Sequence, residues 1–327
     1  MIRAFRRVAV AVGLAVAVSA CTTQITGSPV PVPNPTTREK ATATAKSLLG
    51  DLPAVDPCGY LDTRDVERFG QVTAEPPESL DSCRFTVKTS GGTSLDLQFG
   101  SLDQVGSERE LEGKPEDYKE LRIVEEPEEA IRCARLLVFE DLVTLSVSVD
   151  NFSSDSASPA EMCRIADHAA KLVADRVLDK KVEHREFGAK SVGRLEACGA
   201  VRASLAKVPG LTSPKAHEYP AAHQCRWSND GRLSTPRARV TYAVGKPTEP
   251  GGENTVREDV AGRPTVIIRS SASSVAFCAA ETTHIPFERG LQELAVVTVT
   301  LPSGTPADQA CAAVKEIAAE AWAKLPK

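Results

Sequence analysis

The sequence predicts an α+β protein with two tandem copies of one domain, each with an antiparallel sheet, a short opening helix and a packed closing helix. Three observations lead to this fold class. Cysteines recur in two sets with matching spacing, alternating apolar residues mark half-buried strands in each half, and each half ends in a capped amphipathic helix. The chain therefore consists of two halves of the same design.

Eight of the nine cysteines form two sets of four. The gaps between successive cysteines are 25, 50 and 30 residues in the first set and 27, 53 and 33 in the second. The sets are Cys58, Cys83, Cys133 and Cys163, followed by Cys198, Cys225, Cys278 and Cys311. Because they match segment by segment, we interpret residues 51–181 as the first repeat and residues 182–327 as the second.

Four cysteines allow three disulfide pairings in each copy. We favour the first with the second and the third with the fourth, because these bridges would tie the opening helix to the next strand and a later strand to the closing helix. Loops of this length stabilise a domain by about 3–4 kcal/mol each in the chain-entropy model. Zinc is disfavoured, since no two cysteines have Cys-x-x-Cys spacing and exported proteins favour disulfides.

Strands are predicted by alternation of apolar and polar side chains. Cys83-Arg84-Phe85 and Cys225-Arg226-Trp227 each open a strand. Further alternating runs are Leu95, Leu97, Phe99, Val143, Leu145, Val147 and Val149 in the first copy, and Val240, Tyr242, Val244, Val297, Val299 and Leu301 in the second.

Helices are predicted at both ends of each copy. The opening helices cover residues 56–69 and 197–208. The closing helices begin at Ser158-Pro159-Ala160-Glu161 and Thr305-Pro306-Ala307-Asp308, where a capping hydroxyl precedes a proline and an acid. An apolar stripe follows each cap and carries the fourth cysteine of its copy, so that cysteine should face the sheet.

Residues 1–20 have the features of a lipoprotein signal peptide. Three arginines precede an apolar run of eleven residues, Val8–Val18, which is too short to span a bilayer. The sequence Val18-Ser19-Ala20-Cys21 resembles the bacterial lipobox, in which cleavage leaves a lipidated cysteine. Acyl chains such as palmitate on Cys21 would anchor the protein at the extracytoplasmic face of the cell membrane. Sec export is favoured over twin-arginine export.

Residues 21–50 are predicted to be the lipidated cysteine and a disordered tether. The segment is rich in Thr, Ser, Pro and Ala, and Pro29-Val30-Pro31-Val32-Pro33 favours an extended backbone.

The boundary between the two copies lies in the charged stretch between Leu178 and Val192. That stretch is short for a flexible linker, so the copies should pack together or be joined by an extension of the closing helix.

Several short motifs resemble an uncharacterised family of actinobacterial lipoproteins that carry a domain of unknown function. They are Asp56-Pro57-Cys58, Cys225-Arg226-Trp227, Gly262-Arg263-Pro264 and the late helix that bears a cysteine. The second copy has Glu196-Ala197 in place of Asp-Pro, and the first has Phe85 in place of the tryptophan. These two departures indicate divergence between the copies, and the resemblance supplies no active site to transfer.

The two copies carry opposite net charges. Residues 51–186 contain 16 basic and 30 acidic side chains, a net −14, and residues 187–327 contain 17 basic and 13 acidic, a net +4. Ten of these acidic side chains, against four basic ones, lie in Glu108–Glu129, which we interpret as a solvated surface loop. The charges would also favour docking of the copies or a cationic partner, whereas net acidity disfavours nucleic acid.

No catalytic, cofactor or metal residues are predicted. The sequence has no Gly-x-Ser-x-Gly, His-Glu-x-x-His, Walker or dinucleotide motif and no Asp-x-Asp-x-Asp calcium loop. Its five histidines are scattered, and His168 in the closing helix has no counterpart in the second copy. Only His217–His223, with Tyr219, is a candidate for a cleft, and we favour a loop broken by proline as the explanation of that segment.

We expect a non-enzymatic lipoprotein that acts as a binding or sensing module. Its ligand would be a small amphiphile, a wall polymer or an envelope protein, and no cofactor is expected. The alternatives are a structural or assembly lipoprotein of a membrane complex, and an envelope hydrolase. A large apolar cavity would favour a ligand, a flat charged face would favour a partner, and clustered titratable groups in a cleft would favour an enzyme.

Overall fold

The computed structural model describes residues 43–127, 129–152, 157–270 and 275–327. The predicted signal peptide, Cys21 and residues 22–42 of the predicted tether lie outside this part of the chain. The end of the predicted tether is ordered, which corrects its boundary at residue 50. Ala45–Leu49 forms a helix, α1, because Ala45 and Leu49 are buried in the first core and the Thr44 hydroxyl accepts a hydrogen bond from the Ser47 amide at 3.2 Å.

The opening segments are less helical than predicted. The first contains a 3-10 turn, Pro57–Tyr60, and a single α-helical turn, α2 (Thr63–Val66), separated by Leu61 in an extended conformation. The second contains two 3-10 turns, Ala197–Gly199 and Ser204–Lys207. Helices this short cannot offset the free energy of nucleation, so packing and disulfides fix these turns instead.

The first of two antiparallel sheets has the strand order β1-β2-β3-β7-β6-β5-β4. Its strands are β1 (Gly70–Ala74), β2 (Cys83–Thr89), β3 (Ser94–Gln104), β4 (Lys114–Tyr118), β5 (Leu121–Glu125), β6 (Arg132–Val138) and β7 (Val143–Asp150). Helix α3 (Pro159–Leu178) packs across β6 and β7. The sheet and this helix form the two layers of the first domain.

The second sheet has the order β11-β12-β13-β14-β10-β9-β8. Its strands are β8 (Lys215–Glu218), β9 (Gln224–Ser228), β10 (Arg237–Gly245), β11 (Thr255–Val260), β12 (Arg263–Ser270), β13 (Ala276–Pro286) and β14 (Gln292–Leu301). Helix α4 (Ala307–Trp322) packs across β13 and β14. Numbered from the start of each domain, both sheets read 1-2-3-7-6-5-4.

Strand register is also equivalent in the two sheets. Phe99 of β3 pairs with Cys83 on one side and Val147 on the other. Val240 of β10 pairs in the same way with Cys225 and Val297. The order and register of the strands thus agree with the repeat in the cysteine spacing.

Each core lies between a sheet and its closing helix. In the first domain the alternating residues of β3 and β7, such as Leu97 and Leu145, are buried with Ile165 and Val173 of α3. The second core has the same construction and includes Trp322 of α4, whose indole N–H donates to the Thr265 hydroxyl at 3.1 Å. Burial of these stripes stabilises both helices.

The two closing helices begin differently. The Ser158 hydroxyl caps α3 by accepting a hydrogen bond from the Glu161 amide at 3.2 Å, as the sequence predicts. The predicted Thr305 cap is wrong, because the Thr305 amide is bonded to the Pro302 carbonyl in a turn and Pro306 occupies the cap position.

No helix among the described residues has both the length and the hydrophobicity to cross a bilayer.

The acidic stretch is an edge hairpin, which corrects its interpretation as a loop. Strands β4 and β5 pair through a turn in which Lys119 has φ +54°. Leu121 and Ile123 of β5 are buried. Their alternation with polar residues is a strand signal, but the many acidic residues around them make the segment look like a loop. Glu128 lies outside the described residues.

Candidate functional site

Each domain contains two disulfides, and their pairing agrees with the one that the repeat predicts. The bridges are Cys58–Cys83, Cys133–Cys163, Cys198–Cys225 and Cys278–Cys311. Their Cα–Cα distances lie between 4.9 and 5.2 Å, within the usual range. All four join elements of the same domain, so the contacts between domains are noncovalent apart from the chain itself.

The stretch between the domains packs as a strand-like segment. His184 forms an antiparallel bridge with Val55, the Arg185 amide donates to the Ala54 carbonyl at 2.7 Å, and the Asp56 amide donates to the Glu183 carbonyl at 2.8 Å. The Arg185 guanidinium also donates to the Asp56 carboxylate at 2.7 Å. The linker is therefore fixed against the first domain, and all described residues belong to one compact unit.

His223 of the second domain and Asp81 of the first form a buried pair between the domains. Nδ1 of His223 lies 2.5 Å from Oδ1 of Asp81, and the two side chains are only 1% and 5% exposed. Nε2 of the same ring lies 3.0 Å from the Gly193 carbonyl oxygen. The Gln224 amide donates to the other oxygen of Asp81 at 3.1 Å.

A second pair lies closer to solvent. His217 Nε2 is 2.6 Å from Oδ1 of Asp103, and its ring packs edge-on against Tyr219 with centroids 4.9 Å apart. Arg226 donates to the Tyr219 hydroxyl at 2.8 Å, which fixes that ring from the other side. The His217–His223 segment, which the sequence marks as a cleft candidate, therefore forms part of the junction between domains.

A cavity of about 670 Å³ opens beside this junction. The first domain lines it with Gln104 and Asp141, among others, and the second with Glu196, Glu218 and Tyr219. Its size is that of a small-molecule site, but its lining is polar as well as apolar. We call it the interdomain cleft.

Three carboxylates line the interdomain cleft. Asp141 accepts hydrogen bonds from the Ala45 amide at 3.2 Å, so it holds the start of α1. Glu196 and Glu218 are exposed, and within the described part of the chain no hydrogen bond or ion pair engages either side chain. These two carboxylates are free to meet a cationic or hydrogen-bonding group.

A second cavity, of about 420 Å³, adjoins the interdomain cleft. Tyr219 and Gln224 line both cavities, and Asp81 lines the second. Burial raises the pKa of Glu126 in its wall, with Glu129 and Glu112 adding to the rise and Arg132 opposing it. The two cavities form a polar depression along the junction.

The other histidines tether chain segments to one another. His168 of α3, half-buried, approaches the Asp65 carbonyl at 3.0 Å, and His184 approaches the Leu49 carbonyl at 2.7 Å. His284 approaches the Lys190 carbonyl at 2.6 Å. Among the described residues, no group of three or more His, Cys, Asp or Glu side chains is placed to hold a metal ion.

Sequence reasoning did not identify Asp81 or Asp103 as partners of the histidines. One signal was present, because Asp81 and His223 each stand two residues before the second cysteine of their copy. Alignment of the repeats would have placed a carboxylate in one copy and an imidazole in the other at this position, but not their contact. The partner of His217 carried no such signal, since Asp103 follows an irregularity between Phe99 and Leu102 in β3.

Comparison with curated proteins finds no match to the chain. Among solved structures, the di-domain ARO/CYC StfQ from the steffimycin biosynthetic pathway is 11% identical, with 83% of this chain and 95% of that chain covered and a TM-score of 0.17. The di-domain ARO/CYC BexL from the BE-7585A biosynthetic pathway is 10% identical, with 82% and 94% covered and a TM-score of 0.15. Scores this low carry no argument about fold or activity.

A family model gives the informative match. It is described as a protein of unknown function, DUF3558, and it matches residues 16–176. This range contains the whole first sheet and α3 almost to its end. The first domain and the segment before it are thus similar to DUF3558, an uncharacterised domain family.

Proposed function

We propose that the protein is a non-enzymatic binding or sensing module, built from two copies of one domain, in which the interdomain cleft receives a ligand or partner. The observation that carries this proposal is a cavity of about 670 Å³ lined by residues of both domains. A site formed by two domains responds to any change in their arrangement, which suits a sensing role. Ligand sites occur preferentially at such domain interfaces.

The lining favours a polar ligand over a small amphiphile. Glu196 and Glu218 present carboxylates, Gln104 and Gln224 present amides, and Tyr219 presents a hydroxyl and an aromatic edge. A lipid tail would leave these groups unpaired, which costs free energy. A wall polymer or a protein segment that carries amino or hydroxyl groups fits the lining better.

Each of the five histidines contacts a carbonyl or carboxylate oxygen, and these contacts hold chain segments together. Disulfides in both domains fit an oxidising compartment outside the cytoplasm.

We test cleft binding by photocrosslinking from position 219. A photoreactive phenylalanine analogue replaces Tyr219, and the adduct formed in the native envelope is identified by mass spectrometry. The same analogue at Tyr118, which lies outside both cavity linings and contacts Asp175, is the matched control. We expect a discrete adduct at position 219 that is lost in the Glu196→Gln/Glu218→Gln variant and retained in Glu253→Gln, an exposed control. Equal labelling from both positions would contradict the proposal.

The anchor is proposed to be a lipid on Cys21, which would hold the protein at the extracytoplasmic face of the cell membrane. The lipobox-like sequence Val18-Ser19-Ala20-Cys21 supports it. Cys21→Ala should release the protein from membranes or leave an uncleaved precursor. Unchanged partitioning into detergent, with no fatty acid on Cys21, would refute the anchor and leave the cleft proposal untouched.

A further inference from the structure

The imidazole of His223 is surrounded by hydrogen-bond acceptors. Nδ1 faces the Asp81 carboxylate at 2.5 Å and Nε2 faces the Gly193 carbonyl at 3.0 Å. A neutral imidazole carries one N–H and so can donate to only one of these acceptors. An imidazolium donates to both, so with an ionised Asp81 it is the form of the ring that satisfies both acceptors.

The charged groups around His223 come from two elements. Asp81, in the loop before β2, supplies the negative charge, and Arg185, in the linker, supplies an opposing positive charge. Arg185 is itself engaged with Asp56 at 2.7 Å, and the Gln224 amide donates to Asp81 at 3.1 Å. Phe187 packs edge-on against the imidazole with centroids 5.9 Å apart and excludes water from that side.

We infer that Asp81 and His223 form a proton-dependent latch that holds the two domains together when His223 is an imidazolium and weakens when it loses its proton. Loss of the proton leaves either Oδ1 of Asp81 or the Gly193 carbonyl oxygen without the donor that the ring supplied, inside a buried junction. An unpaired buried acceptor destabilises the closed arrangement. Opening exposes both groups to water, so the neutral ring favours the open arrangement. The latch does not depend on what the cleft binds.

The direction of the pH dependence follows from the charges. Burial lowers the pKa of His223, but the hydrogen bond and charge of Asp81, with the Gly193 carbonyl, raise it more, so the pKa lies above its usual 6.5. The latch is therefore fully effective below pH 6.5 and is lost as the pH rises through the pKa of the closed form. Between these two pKa values, the opening equilibrium constant should rise about tenfold per pH unit.

The first test is NMR of the whole mature protein labelled with 15N-histidine. Long-range 1H–15N spectra distinguish an imidazolium from either neutral tautomer, and His223→Gln assigns the resonance. We expect His223 to titrate above pH 6.5, with both ring nitrogens protonated below its midpoint. A midpoint at or below 6.5, or a neutral tautomer in the closed protein at pH 6, would overturn the inference.

The second test measures opening directly. Amide hydrogen exchange of residues 78–82, the segment that carries Asp81 into the junction, is followed from pH 6 to 9 and corrected for intrinsic rates. Opening should increase with pH in the wild type and in His168→Gln, because His168 bonds a carbonyl within the first domain. It should be insensitive to pH in Asp81→Asn and His223→Gln. If opening rose equally with pH in the wild type and in all three variants, the latch would be overturned.

Discussion

Asp81 and His223 occupy equivalent positions in the two domains, two residues before Cys83 and Cys225 respectively, and they contact each other at 2.5 Å. Contact between equivalent positions is the pattern that a two-fold interface produces. In a symmetric homodimer both partners would be the same residue, and two aspartates would repel each other. Because both domains lie in one chain, the two positions can differ and form a complementary pair.

The buried pair should couple more strongly than the half-exposed pair beside it. The side chains of His217 and Asp103 are 21% and 47% exposed, so water screens their interaction. We predict that Asp81→Asn or His223→Gln each destabilises the protein by about 3–5 kcal/mol at pH 6, because each leaves a buried charge unpaired. Double-mutant cycles from urea unfolding should give a coupling energy of about 1–3 kcal/mol between Asp81 and His223. Equal coupling for both pairs would contradict this.

The disulfide between β6 and α3 should contribute a measurable stability of its own. Cys133 and Cys163 enclose a loop with a sequence separation of 30, for which chain entropy gives about 3–4 kcal/mol. We predict that Cys133→Ala/Cys163→Ala lowers the free energy of unfolding by about this amount without changing the strand content seen by circular dichroism. Peptide mapping should show the other three bridges unchanged, and a reshuffled bridge would count against the pairing.

Glu320 of α4 should make the second domain sensitive to acid. Its carboxylate accepts hydrogen bonds from the Arg202 and Ser204 amides at 2.8 Å each, so it ties the opening segment to the closing helix. Burial raises its pKa, but these amides lower it more, so its pKa lies below 4.5. The stabilisation is therefore present above pH 4.5 and is lost as the pH falls through the lowered pKa.

The corresponding variant is Glu320→Gln, compared with Glu316→Gln on an exposed position of the same helix. The difference in Tm between wild type and Glu320→Gln should be largest above pH 4.5 and should shrink at lower pH. Glu316→Gln should follow the wild type at every pH. A Glu320→Gln deficit that persists unchanged at pH 3 would show that lost packing, not the charge, destabilises the variant.

The regular parts of the fold were predictable because their signals are local. Alternation along β7 and β14 gave strands, and the Ser158 cap gave the start of α3. The sequence failed where longer-range contacts decide the outcome. Helix α1 forms because Leu49 is buried in the first core, a contact that its Pro/Thr/Ser-rich surroundings do not reveal.

The candidate site was predictable only in outline. The His217–His223 segment stood out by composition, and the charge imbalance suggested docking of acidic on basic surfaces. In the structure, two aspartates of the first domain, Asp81 and Asp103, pair with two histidines of the second, His223 and His217. Pairing across the junction depends on the arrangement of two folded domains, which no local pattern encodes.

The second domain depends on a residue of the first, Leu80, to complete its core. The core of the first domain is formed by residues 43–177 alone, whereas the core of the second includes Leu80 of the first domain, which is 2% exposed. We predict that Leu80→Ala destabilises the whole protein by about 2–5 kcal/mol, because it leaves a cavity in the second core. Leu233→Ala, at a 62% exposed position, is the control and should change stability by less than about 0.5 kcal/mol.

Separate expression of the domains tests whether the second domain needs the first for its stability. A fragment of residues 43–186 retains its complete core and both of its disulfides, so it should unfold cooperatively on its own. A fragment of residues 187–327 lacks Leu80 and leaves His223 without Asp81, so its Tm should be lower than that of the second domain in the whole chain. Adding the first fragment should restore the Tm by mass action, and a first fragment with Leu80→Ala should restore much less. If the second fragment is as stable alone as in the intact protein, Leu80 and Asp81 contribute nothing to its fold, and the domains are independent units.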